Sequence, residues 1–109
     1  MNTYFNEVKK NFGFGCMRLP MNSEEVDYEL TSKMVDYFIQ QGFNYFDTAY
    51  PYHDEKSEGA IKKALTERYD RKDYIIADKM PTILVKSGDE YPMYFNRQLE
   101  RTGVEYFDY

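Results

Sequence analysis

Apolar positions come in short, nearly continuous runs, and the stretches between them space their apolar residues as helices do. The first run, Phe12 to Met17, reads as a strand and closes at Pro20. Leu30, Met34, Val35, Phe38 and Ile39 then follow a helical period, with Asp27 placed to cap the helix and Gly42 just past its end. Phe43 to Phe46 form a second strand leading into Asp47. A second helix is expected from Ser57, a good N-cap, through Ile61, Ala64 and Leu65 to about Arg68. Tyr74 to Ala77 read as a third strand ending near Lys79. Pro92 can open a third helix carrying Phe95 and Leu99 and ending at Gly103. Val104 to Tyr109 begin a fourth apolar run.

Strands alternating with helices imply βαβ units and a parallel sheet, so the fold class is α/β. Parallel strands are covered on both faces, which suits runs that are apolar throughout rather than alternating. Periodicity alone leaves open whether the sheet is doubly wound or part of a barrel. With 109 residues, no linker-like stretch and no internal composition shift, a single domain over 1–109 is expected.

Charge and composition remove some function classes. A net charge of −5 argues against a surface that tracks nucleic-acid phosphates. No apolar run approaches the roughly 18 residues of a membrane span, and Met1 to Lys10 lack the apolar core of a signal peptide. The single cysteine, Cys16, has no internal disulfide partner, which fits a reducing cytoplasm. It reads as a small buried hydrophobe, and no metal site is expected around it.

Reactive groups of parallel α/β proteins collect beyond the carboxyl ends of the strands. Three polar features stand there: Gly15-Cys16-Met17-Arg18, Asp47-Thr48-Ala49-Tyr50-Pro51-Tyr52, and Asp78-Lys79. The first is not a dinucleotide fingerprint. Arg18 stands where a third glycine belongs, and no helix opens directly behind it. The glycines flanking this strand instead allow something to approach its backbone closely. The other two features can make a proton donor. A free phenol, with a pKa of about 10, is a poor acid at neutral pH, but a neighbouring ammonium favours the phenolate and a carboxylate can hold that ammonium in place. Taken singly, an Asp or a Lys at a strand end is more often a solvated rim residue, and Asp47 with Lys79 would also serve as a structural ion pair.

The strings Gly13-Phe14-Gly15-Cys16-Met17-Arg18-Leu19-Pro20, Asn44-Tyr45-Phe46-Asp47-Thr48-Ala49-Tyr50-Pro51-Tyr52-His53, Ser57-Glu58 with Ala64-Leu65, Asp78-Lys79-Met80-Pro81, and Arg97 to Arg101 with Tyr106 to Tyr109 resemble, in order and spacing, the aldo/keto reductase family. The likeness is strongest to bacterial members with this Cys-Met-Arg-Leu-Pro strand, which often carry a ferredoxin-like iron–sulfur segment far downstream. It extends over nearly the whole chain.

The resemblance implies the N-terminal part of a (β/α)8 TIM barrel: about three β/α units plus the start of a fourth strand, not closed. It implies reduction of small-molecule carbonyl substrates with NADP(H), or the reverse oxidation. Of the family's Asp, Tyr, Lys and His tetrad, Asp47, Tyr52 and Lys79 match the first three as catalytic residues. Gly15, Cys16, Met17 and Asp47 match the cofactor-binding segment near the nicotinamide. The histidine would follow a Leu-Leu pair beyond Tyr109, and His53 is not its substitute, being expected at the solvent or the pocket rim. Lys62 departs from the pattern, standing where a glycine is usual. The domain is thus expected to be partial, lacking the phosphate loops, and self-association through open sheet edges is expected. The alternative is an inactive product serving as a binding or assembly module.

Overall fold

The computed structural model describes residues 5–109. The chain opens its first strand, β1 (Gly13–Gly15), and then forms a hairpin from β2 (Met21–Asn22) and β3 (Glu25–Val26). The hairpin is absent from the sequence reading because its Ser23-Glu24 turn contains no glycine; Ser23 itself takes the positive φ of 63°.

Helix α1 (Tyr28–Gln40) begins where the Asp27 carboxylate accepts the Leu30 N–H at 3.0 Å, the expected cap. Beyond its end Gly42 has φ 92°, a conformation that strains residues with a side chain. Val35 and Phe38 are its buried apolar residues.

Strand β4 (Tyr45–Ala49) pairs in parallel with β1, Gly15 opposite Asp47, and with β5 (Ile75–Lys79), Asp47 opposite Ala77 and Ala49 opposite Lys79. The sheet order is β1-β4-β5, with consecutive strands joined through crossover helices, as parallel pairing requires. After β4 comes a single turn, α2 (Tyr52–Glu55), and then α3 (Ser57–Ile61), whose hydrogen bonding widens to a π-helix over Lys62–Thr66. The widened turn is closed by the Glu67 N–H on the Lys62 carbonyl at 3.0 Å.

Ser57 opens α3 but does not cap it. Its hydroxyl instead donates to the Cys16 carbonyl at 2.9 Å and meets the Thr48 hydroxyl at 2.8 Å. Lys62, the departure from the family pattern, lays its stem against Gly103, where a Cβ would come within 3.1 Å of Lys62 Cγ. Helix α4 (Tyr91–Thr102) starts with Pro92 in its first turn and ends at Gly103, φ 75°.

The strands' period of two sorts the sheet's faces. Phe14, Phe46, Thr48, Ile76 and Asp78 point to the helical side. There Phe38 of α1 sets its ring 5.3 Å from Phe14 and 5.2 Å from Phe46, centre to centre. Ala60, Ile61, Ala64 and Leu65, all fully buried, continue this core along α3 and its π turn. Gly13, Gly15, Tyr45, Asp47 and Lys79 belong to the opposite side.

The fourth apolar run lies along the outer edge of β5 without becoming a regular strand. The Asp108 N–H donates to the Ile76 carbonyl at 3.0 Å and the Asp78 N–H to the Tyr109 carbonyl at 3.2 Å. The Asp108 carboxylate takes the Ile76 N–H at 2.9 Å while bound to Arg71 at 2.7 Å, occupying a position a ladder carbonyl would use. No helix among the described residues is long and apolar enough to cross a membrane.

Candidate active site

Parallel register brings the ends of β4 and β5 side by side, and the residues there do different jobs. Lys79 Nζ donates to both oxygens of Asp47, at 2.9 and 2.8 Å, and to the Thr48 carbonyl at 3.0 Å. The same nitrogen stands 5.0 Å from the centre of the Tyr52 ring, within cation–π range. The carboxylate, ammonium and phenol singled out in the sequence therefore lie together at one rim of the sheet. Burial works against the charge on Lys79, but hydrogen bonding and charge from Asp47 and Tyr52 outweigh it and hold the ammonium above the ordinary lysine range.

The two tyrosines of this loop separate clearly. Tyr50 is buried, its hydroxyl accepting from Arg97 at 2.9 Å and its ring covered by the Arg101 guanidinium at 4.3 Å. Tyr52 is half-buried and beside Lys79.

Directly after Tyr52 the backbone turns left-handed, with φ of 55° at His53, 51° at Asp54 and 69° at Glu55. Such a turn costs L-residues about 1–2 kcal/mol each, so it needs anchors. The Leu19 N–H donates to His53 Nε2 at 2.6 Å, and Arg101 donates to Glu55 at 3.0 Å. His53, expected at the rim, is thus a half-buried tether between this loop and the one following β1.

The segment after β1 lies against Asp47 on its other side. The Cys16 N–H donates to the Asp47 carbonyl at 2.9 Å, which continues the β1–β4 ladder past Gly15. The Cys16 thiol is buried, and burial pushes it far above the usual thiol range, so it is inert. Met17 is half exposed. A Cβ on Gly15 would meet no atom within 4 Å, so open space lies in front of this backbone beside Asp47. Among the described residues no group of three His, Cys, Asp or Glu side chains could hold a metal ion.

Three partners of the site escaped the sequence reading. Buried Gln98 donates to the Lys79 carbonyl at 2.8 Å, buried Ser57 links Cys16 to Thr48, and buried Glu58 faces Asp78. The available signal was weak in each case: a polar residue amid the apolar positions of α4, or at a site that also suits a helix cap.

The sequence pattern of the aldo/keto reductase family matches residues 11–109. The 4-dihydromethyl-trisporate dehydrogenase of Mucor mucedo is 34% identical over a stretch covering 88% of this chain and 28% of that protein. Among solved structures, a thermostable aldo-keto reductase in complex with the inhibitor epalrestat superposes with a TM-score of 0.68 at 26% identity, over 88% of this chain and 35% of that one. An aldo-keto reductase from Bacillus halodurans, in its holo form, gives 0.64 at 28% identity, over 92% and 34%. The chain thus spans about a third or less of the length of these relatives, and its open sheet corresponds to part of their barrel. With Asp47 and Lys79 joined at the strand ends and the match running from Asn11 to Tyr109, the chain belongs to the aldo/keto reductase family.

Proposed function

We propose that this chain provides the proton-donating side of an oxidoreductase that reduces small-molecule carbonyl compounds with NADPH, or oxidises the alcohols in reverse. NADPH, when bound, supplies the hydride that reaches the carbonyl carbon. Gly15, Cys16, Met17 and Asp47 are the residues of this chain that would hold its nicotinamide end, the Gly15 backbone leaving the room and Met17 the apolar contact.

Tyr52 gives its hydroxyl proton to the carbonyl oxygen as the carbon is reduced, and takes a proton back from solvent afterwards. Lys79 stabilises the phenolate formed in that step, because its ammonium stands 5.0 Å from the ring. Asp47 keeps Lys79 charged and fixed by accepting two hydrogen bonds. The one observation that carries this reading is Lys79 bound to Asp47 while lying against Tyr52. A single buried thiol suits the reducing cytoplasm as the place of action.

The test is NADPH-dependent carbonyl reduction by the intact protein containing this segment. Tyr52→Phe is expected to lower kcat by about 10²–10⁴ while leaving nucleotide affinity within a few-fold. Unchanged turnover in Tyr52→Phe contradicts the assignment.

A further inference from the structure

Behind the candidate site, on the helical side of the sheet, a cluster of buried polar atoms has no place in the chemistry above. Both carboxylate oxygens of Glu58 and Oδ2 of Asp78 are buried without a hydrogen-bond donor, and Nη1 of Arg101 is buried without an acceptor within hydrogen-bond distance. Glu58 is fully buried. Its Oε1 lies 3.6 Å from Arg101 Nη1, an ion pair too long for a good hydrogen bond. The Asp78 carboxyl has Glu58 as its closest acting charged neighbour besides Lys79, and both carboxyls carry buried oxygens left without a partner. Two such carboxylates can satisfy one another only when one of them carries a proton, since ionised oxygens accept and do not donate.

We propose that Asp78 is a positioning residue for Lys79: as a neutral acid it donates its O–H to the Glu58 carboxylate, and with its other oxygen it anchors the Lys79 backbone. The second half of that link is direct, because the Lys79 N–H donates to Asp78 Oδ1 at 2.9 Å. Gln98 holds the carbonyl of the same residue at 2.8 Å. The backbone N–H and carbonyl of Lys79 are therefore both held, by Asp78 and by Gln98 of α4, while the side chain reaches to Asp47. Arg101 balances the remaining charge on Glu58.

The ionisable groups around Asp78 are few. Glu58 faces it from α3, Lys79 adjoins it on β5, and the buried Cys16 thiol after β1 also lies within range of its charge. Arg101 of α4 reaches Glu58, and Glu55 and Tyr50 in turn face Arg101. Burial first, then the hydrogen bond and charge of Glu58, push Asp78 up to about 9, against the smaller opposing effect of Lys79. The acid is thus neutral across the physiological range.

The role given to Lys79 rests on the function proposed above, but the geometry can be tested without turnover. In the full chain, labelled with ¹³C and ¹⁵N, the Asp78 carboxyl and the Lys79 amide resonances are followed from pH 4 to 10. Both are expected to move together with a midpoint near 9. Glu58→Gln is expected to lower the Asp78 midpoint. Asp78→Asn, whose amide can still donate to Glu58 and whose oxygen can still accept from Lys79, is expected to abolish that step in the Lys79 amide. Asp78 titrating near the ordinary carboxyl value of about 4 overturns the proposal. So does a Lys79 amide transition that survives Asp78→Asn, or an Asp78 midpoint indifferent to Glu58→Gln. If Asp78→Asn does not fold, the wild-type midpoint and Glu58→Gln decide the matter. None of these readouts involves carbonyl reduction, so their failure leaves the Tyr52 assignment standing, and the converse also holds.

Discussion

At Asp78 a proton is bound in the folded chain that the unfolded chain has already released above about pH 4. The folded state therefore holds more protons between that pH and about 9, and linkage makes stability fall as pH rises through this window. The melting temperature is expected to drop from pH 5 to pH 9, and Asp78→Asn to flatten that slope; equal slopes by calorimetry count against it. Lys79 acts differently. Its raised value means that the Asp47 ion pair keeps its contribution up to the ordinary lysine range and loses it only above that. Asp47, Tyr52 and Lys79 were legible as residue types at strand ends, but their meeting was not. It depends on the Asp47–Ala77 register and on the left-handed turn after Tyr52, and nothing in the string His53-Asp54-Glu55 announces such a turn, since it contains no glycine.

Capping separates the elements whose limits could be read from those whose limits could not. Asp27 does what a short acceptor before an amphipathic run is expected to do, and Asp27→Ala should cost about 0.5–2 kcal/mol in denaturant unfolding. Gly42 and Gly103 mark helix ends because their positive φ is a local requirement. Ser57 has the same capping chemistry, yet its hydroxyl turns inward to Cys16 and Thr48. Ser57→Ala is accordingly expected to cost about 1–3 kcal/mol, the range for leaving buried partners unsatisfied, whereas Ser57→Gly should cost no less. If glycine restores stability, Ser57 is a cap after all. The same contrast explains the last run: Phe107 and Val104 advertise a strand, but Asp108 intercepts the Ile76 N–H, a contact no propensity scale encodes.

The described chain measures 43 × 42 × 20 Å, a slab with α1, α3 and α4 together on one side of three strands. Among the described residues β1 is an edge strand of this sheet, and it lies beside an apolar hollow of about 520 Å³ lined by residues that include Phe12, Phe14, Met34, Tyr37, Phe38 and Phe43. Open edges and exposed aromatic surface favour association with other chains. The chain by itself is expected to sediment as concentration-dependent oligomers, and Phe12→Lys to reduce that association; a monomer at all concentrations contradicts this. The alternation of runs and helices announced a parallel sheet, but its curvature is invisible to periodicity, because neighbouring strands read alike in open and closed sheets. What pointed to a barrel was the order of five separate strings, of which the Asp47 and Lys79 strings meet at the rim. The central claim is that Tyr52 and Lys79 work as one proton-donating unit. A double-mutant cycle of Tyr52→Phe and Lys79→Met, read in kcat for carbonyl reduction by the intact protein, tests it most directly. The account predicts that the double variant is little slower than the worse single variant, as for residues acting together. Multiplying, independent losses, or no loss in either single variant, would contradict it.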